Sequence, residues 1–237
     1  LAPELAEAHT THAHVLRWWD HDRPAARRAF ETALRLRPDY PEAHQWYAWF
    51  VVDEGRFDEA VSHMKRAHEL DPMSVTISAQ VASMLLYAGR WAEAAAQAGR
   101  ALEMDPAQGE ALYDRAAALW EMGEQAEAIA LLERTSRPGG SIRVRGTLGY
   151  LYGRAGRRDE ALQVLKELED RRSREWVRSG ALASVHAGLG DTDRALDLLE
   201  EAWEEGSLWP QVGWDPWFVS LRSEPRFQAL LGKLGLR

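Results

Sequence analysis

The sequence predicts an all-α fold, a solenoid of helix-turn-helix repeats closed by a C-terminal capping helix. Three observations predict it. A glycine-centred segment recurs along the chain, small residues recur at fixed distances on either side of it, and proline recurs at the same period. Repetition at this period means supersecondary units that bury a face only by stacking on their neighbours. No stretch sustains period-two alternation, so no sheet is expected.

The segments "EGRFDEA", "AGRWAEA", "MGEQAEA", "AGRRDEA" and "LGDTDRA" carry Gly55, Gly89, Gly123, Gly156 and Gly190, at spacings of 34, 34, 33 and 34. Glycine at the end of a helix suits a left-handed cap that penalises a side chain. Five residues after each glycine stands Ala60, Ala94, Ala128, Ala161 or Ala195. Seven residues before each stands Ala48, Ala82, Ala116, Gly149 or Ala183. Small residues at two facing points let a pair of helices approach closely. Pro38, Pro72 and Pro106, again 34 apart, end the second helix of a pair, because proline lacks the N–H and restricts the residue before it.

This arrangement resembles the tetratricopeptide repeat family. Its motif, counted from residues 7, 41, 75, 109, 142 and 176, gives six repeats over about residues 7–205. The resemblance implies a right-handed α-solenoid, taken as a single domain over 1–237 with its cap at 206–237. The family's early tryptophan slot is not kept; it holds Thr10, His44, Ser78, Leu112, Arg145 and Ser179. The first repeat is degenerate, with His21 in the glycine slot and Arg17 in an apolar one. Terminal repeats are expected to be atypical.

"ERTSRPGGSI" (133–142) breaks the pattern with Thr135, an early Pro138 and two glycines. It reads as a longer turn, with a hinge as the alternative. In the tail, Ser223 before Glu224 and Pro225 reads as a helix start. Phe227, Leu230, Leu231 and Leu234 follow at helical spacing. That helix is expected to cover the open end of the stack with Trp209, Trp214 and Trp217 beneath it.

"AHTTHAHVLRWWDHD" (8–22) holds four histidines, two tryptophans and two aspartates. On a helix, His12 lies about 60° from His9, while His14 lies about 160° from His12. Zinc needs three or four converging ligands and this helix offers two, so these are read as solvated histidines and no metal site is expected. His63 and His68, five apart, point in different directions.

The resemblance also implies where a ligand sits, since family members use five positions of each first helix to line a concave groove. Those positions give Val15, Trp18 and Trp19 in the first repeat, then Glu42, Gln45, Trp49 and Asp53. They continue with Ala79, Ser83, Leu86 and Tyr87, then Glu110, Tyr113, Trp120 and Glu121, then Arg143, Tyr150 and Arg154. The sixth repeat gives Gly180, Ser184, Ala187 and Gly188, so the groove is expected to be shallow or filled there. Trp19, Trp49, Tyr87, Tyr113, Trp120 and Tyr150 would recur along one groove, and aromatic rings dominate binding hot spots. Some of them, Trp18 especially, could instead pack between repeats. Glu42, Asp53 and Glu121 lie towards one end, Arg143 and Arg154 towards the other, which fits a peptide with a basic and an apolar portion. The Lys and Asn that clamp a terminal carboxylate in some family members are missing.

Composition narrows the function. A net charge of −8 argues against nucleic acid and against an anionic membrane surface. No apolar run approaches the 18 or so residues of a membrane span. The absence of cysteine removes disulfides and thiol chemistry. It is compatible with a cytoplasmic location, and "LAPELAEAHT" lacks the plan of a signal peptide. The chain does not begin with Met, which leaves room for sequence before Leu1. There is no nucleophile elbow, phosphate loop or zinc-protease motif. A glycosidase-type acid pair from Asp53 and Glu121 would span two repeats, too far for one pocket. No enzyme activity and no cofactor are therefore expected.

"HQWYAWFVVDEGRFDEAVSHMKRAHELDPMSVTI" and "DPWFVSLRSEPRFQALLGKLG" also resemble the C-terminal repeat region of bacterial multidomain signalling proteins. This likeness implies a regulatory module attached to an effector, without the effector's own activity. The expected function is a scaffold that binds a peptide or partner-protein segment in its groove. The alternatives are self-association, as a homodimer, and small-molecule sensing in a closed pocket.

Overall fold

The computed structural model describes residues 4–20, 22–136 and 140–236. His21 and Pro138, which the sequence placed in turns, lie outside the described residues, as do Arg137 and Gly139. Every regular element among the described residues is helical. The chain forms two compact units, Leu1–Pro106 and Ala107–Arg237.

The N-terminal unit holds three helical hairpins. They are α1 (Ala6–Trp18) with α2 (Arg23–Leu36), α3 (Pro41–Val52) with α4 (Phe57–Leu70), and α5 (Val75–Tyr87) with α6 (Trp91–Met104). The C-terminal unit pairs α7 (Gly109–Glu121) with α8 (Gln125–Thr135), α9 (Ile142–Arg154) with α10 (Arg158–Arg172), and α11 (Ser179–Leu189) with α12 (Thr192–Glu204). Two short 3-10 helices, Pro210–Gly213 and Pro216–Leu221, lead to α13 (Pro225–Lys233).

The turns obey the expected chemistry. Gly55, Gly89, Gly123, Gly156 and Gly190 adopt φ between +70° and +83°. At Gly55, the N–H of Arg56 reaches back to the Val51 carbonyl at 3.1 Å and that of Gly55 to Val52 at 2.9 Å. This crossed pair satisfies carbonyls that the helix end would otherwise orphan, and it recurs at the other four glycines. Helices α2, α4 and α6 each stop two residues before Pro38, Pro72 and Pro106. Ser74, Gln108 and Ser141 cap α5, α7 and α9 through side-chain oxygens that accept from Ile77, Ala111 and Val144. All ten small residues flanking the glycines are buried.

Helices α9 and α11 come into backbone contact. A Cβ placed on Gly153 would lie 2.5 Å from the Gly188 carbonyl carbon, and one on Gly188 2.5 Å from the Tyr150 carbonyl oxygen. Helix α13 begins one residue later than expected, with Glu224 at the cap and Pro225 in the first turn. It docks on α12, where Arg226 binds Glu200 and Asp197. Phe218, rather than a tryptophan, packs on its Phe227, with ring centroids 6.5 Å apart. The expectation is corrected for Trp217, which does not lie beneath this helix. Trp217 packs on α7 and α9 through Tyr113 and Tyr150, and Trp209 packs on α11 at Gly180.

Candidate functional site

The first helices of the hairpins form one face in each unit, and the two faces differ. In the N-terminal unit, α3 and α5 join through a side-chain amide. Gln80 Oε1 accepts from Gln45 Nε2 at 2.8 Å and from Trp49 Nε1 at 3.1 Å. The Trp49 and Tyr87 rings meet edge to face at 6.4 Å, a favourable arrangement of their quadrupoles. Gln45, Trp49, Gln80 and Tyr87 are all half-buried, so this is an aromatic and amide surface still open to solvent.

Two residues predicted to line that face do not. Asp53 is 4% exposed. Its Oδ2 accepts from Arg17 Nε at 2.9 Å and sits 2.6 Å from Arg17 NH2. Arg17 also donates to the Trp49 carbonyl at 3.1 Å. The guanidinium stands in an apolar slot of the first repeat, and a buried cation needs a buried counter-ion; Asp53 supplies it and is not offered to a ligand. Ser83 is likewise buried, on the packed side of α5. Trp19, by contrast, is 79% exposed just beyond α1.

The histidines are less solvated than their sequence suggests, since His9, His12 and His14 are half-buried. His14 packs edge-on against Trp46, with centroids 4.7 Å apart. His44 and His63 face each other across α3 and α4, Nδ1 to Nδ1 at 2.9 Å. His44 Nε2 donates to the Pro38 carbonyl at 3.0 Å, so its Nδ1 accepts from His63. That geometry requires a neutral His44, and burial, with His44 and Arg56 adding to it, pulls His63 down to about 4. No group of three or more metal-type ligands converges among the described residues.

In the C-terminal unit the Tyr113 and Tyr150 groove slots are covered by the chain's own tail. Trp217, 2% exposed, packs against Tyr150 at 4.7 Å and edge-on to Tyr113 at 5.7 Å. Tyr113 and Tyr150 are consequently 1% and 6% exposed. As an open binding surface, the Tyr113–Tyr150 part of the predicted groove is corrected, because Trp217 has already taken it. Burial pushes the Tyr150 hydroxyl up to about 12. Trp120 meets Tyr150 edge to face at 6.5 Å and is half-buried. Glu121 is half-buried too, and desolvation raises its carboxyl against the opposing field of Arg222. Arg154 is exposed. Over the sixth repeat the face is filled: a Cβ on Gly180 would lie 2.5 Å from the Trp209 ring.

Asp215 is the functional-looking residue that the sequence reading missed. It is 1% exposed, accepts from the Trp217 backbone N–H at 3.1 Å, and is raised by desolvation against the opposing pull of Arg143 and the Tyr113 hydroxyl. The Arg143 guanidinium lies 3.7 Å from the Tyr113 ring centroid, a cation–π contact. The signal was present in "WDPW": a lone acid among tryptophans in a segment too apolar for a solvent loop.

A cleft of about 270 Å³ opens among α10, α11 and α12, lined by Glu169, Arg172, Ser173, His186 and Arg194. Within it Arg172 is met by Glu201 and Glu205, and His186 Nδ1 lies 3.0 Å from Asp191 Oδ2. No described helix is long and apolar enough to cross a membrane.

Comparison with known proteins places these features. A family model described as Tetratricopeptide repeat matches residues 20–74, 82–141 and 147–208, well over half of the chain. A crystal structure of MamA is similar at 26% identity, covering 68% of this chain and 95% of that one, with a TM-score of 0.56. YrrB, described as a TPR protein with an unusual peptide-binding site, is 17% identical, covering 84% and 94%, with a TM-score of 0.54. PilF of Pseudomonas aeruginosa is 14% identical, covering 96% and 97%, with a TM-score of 0.58. The last two show likeness of fold alone. A comparison with curated proteins gives no match.

Proposed function

We propose that this chain, which belongs to the tetratricopeptide repeat family, is a protein-interaction scaffold whose N-terminal unit holds an extended partner segment against α3 and α5. One observation carries the reading: Trp49 and Tyr87 are partly exposed side by side, framed by the Gln45–Gln80 amide pair. The rings offer apolar contact at small entropic cost. The amide pair spends Gln80 Oε1 internally and leaves the Gln45 carbonyl oxygen and the Gln80 NH2 for a peptide backbone, which presents both donors and acceptors. That YrrB is described as having a peptide-binding site supports the same use here.

Within this proposal the chain acts as a non-enzymatic regulatory module of a cytoplasmic signalling protein, its repeats serving as one domain. The resemblance of its tail to multidomain regulators supports that role. The test is selection from a displayed peptide library on the intact chain. Trp49→Ala should weaken the selected peptides by roughly tenfold or more, on the scale of an aromatic hot spot, with unchanged ellipticity at 222 nm. Undiminished affinity rejects the reading. A chain that selects no peptide but dimerises with concentration by light scattering would favour self-association instead.

A further inference from the structure

We propose that the loop joining α10 to α11 docks an acidic segment of a partner protein, with Trp176 as its anchor and Arg174 and Arg178 as the groups that meet its carboxylates. The loop lies ahead of the first helix of the sixth repeat and shares no residue with the aromatic surface of α3 and α5. It therefore goes beyond the reading above and stands or falls separately.

The junction is longer than the turn requires. Four residues, Arg37–Tyr40 and again Asp71–Ser74, carry the chain from one hairpin to the next in the N-terminal unit, whereas Ser173–Arg178 takes six. Loops held on a rigid scaffold are where recognition is commonly placed. Residues 176–178 have no regular structure and alternate sides as an extended chain does. Val177 is 1% exposed and fixes the loop to the core, while Trp176 on its outer side is 61% exposed. The Arg178 guanidinium lies 5.4 Å from the Trp176 ring centroid, a cation–π pair that orients both groups before a partner arrives. An indole left in water adds little to the core, and Trp and Arg are the residues that most often carry an interface.

The charge of the loop selects the partner. Residues 171–178 read RRSREWVR, four arginines against one glutamate, in a chain whose net charge is −8. Two of the four are already engaged. Arg171 pairs with Glu175 and donates to the Gly140 carbonyl, and Arg172 is held by Glu201 and Glu205. Arg174 and Arg178 are exposed and have no acidic partner among the described residues. They stand two residues before and two after Trp176, and a guanidinium binds a carboxylate through two parallel hydrogen bonds. The complement is a segment with Asp or Glu on both sides of an apolar residue that covers the ring. A nucleic acid would meet the same two cations, but the negative charge of the whole chain repels a polyanion far more than a short acidic segment.

The test is a random peptide library panned on the full chain carrying Trp49→Ala, which removes the surface proposed above, with counter-selection on the same chain carrying Trp176→Ser as well. Clones kept by the first and lost by the second should be enriched at least about twofold in Asp and Glu over the input library. Synthesised with a label, these peptides should bind the Trp49→Ala chain in anisotropy. They should lose about tenfold or more in affinity on Arg174→Ala/Arg178→Ala and weaken with rising salt. Trp176, Arg174 and Arg178 are exposed, so ellipticity at 222 nm should not change. Should Trp49→Ala not fold, the unsubstituted chain is panned against Trp176→Ser in its place. The proposal is overturned if no clone depends on Trp176, if the dependent clones carry no excess of acid, or if a uridine oligonucleotide of matching charge binds as well as the peptides.

Discussion

The two units place aromatic residues in first-helix groove slots, Trp49 and Tyr150 in the same one, and treat them oppositely. In the N-terminal unit, Trp49 and Tyr87 stay half-exposed, and the buried charge nearby, Asp53, is neutralised from within the hairpin layer by Arg17. In the C-terminal unit, Tyr113 and Tyr150 are sealed by Trp217, and the buried charge, Asp215, arrives from the tail. An aromatic ring in a groove slot thus identifies a sticky surface but does not say whether that surface is free. The close approach of α9 and α11 through Gly153 and Gly188 belongs to the same contrast, since it leaves no trough between those helices.

The contrast can be broken most directly by truncating one ring in each unit. Trp217→Ala removes a fully buried side chain and should cost about 3–5 kcal/mol. Trp49→Ala removes a half-exposed ring and should cost well under half of that. Urea unfolding curves compare them, and equal losses would abolish the distinction drawn here. Arg17→Leu should also be severe, about 3–5 kcal/mol, because it takes the nearest cation from the buried Asp53 carboxylate and leaves Arg23 at 3.8 Å. The double variant Arg17→Leu/Asp53→Leu should recover much of the loss. Gly153→Ala should cost about 1–3 kcal/mol by overpacking against Gly188.

The smallest effects sharpen the comparison through pH. His63 titrates lower in the folded chain than its ordinary 6.5, at about 4. The unfolded chain then binds more protons between those values, so the stability His63 contributes is lost as pH falls from about 6.5 to about 4. Replacing His63 with Gln should flatten that acid limb. Asp215 has the opposite sign. Its folded carboxyl is raised by burial, so its contribution is present below the ordinary Asp range and is lost as pH rises through the raised value. Asp215→Asn should remove that slope. Acid should therefore loosen the α3–α4 hairpin while favouring the docked tail, which hydrogen exchange resolved by segment can read.

Much of the fold was legible because its causes are local. A glycine must take the positive φ of each turn, a proline must stop the second helix, and an alanine must sit where two helices touch; all act within a few residues of themselves. The helix boundaries accordingly fall close to where the 34-residue register puts them. The site was legible only in part. Trp49 and Tyr87 stand together on their face as the register implies. Asp53 could have been read as a counter-ion from Arg17 in its apolar slot, 36 residues earlier. Gln80 lay one position outside the slots considered.

The sequence alone determined the helical hairpins, their period and the identity of the residues on each first-helix face, because backbone stereochemistry and small-residue packing repeat with the chain. Only the tertiary structure decided which of those faces is free. That depends on where Trp217 comes to rest relative to Tyr113 and Tyr150, scores of residues away, and burial of apolar surface has no direction along the sequence and no period in it.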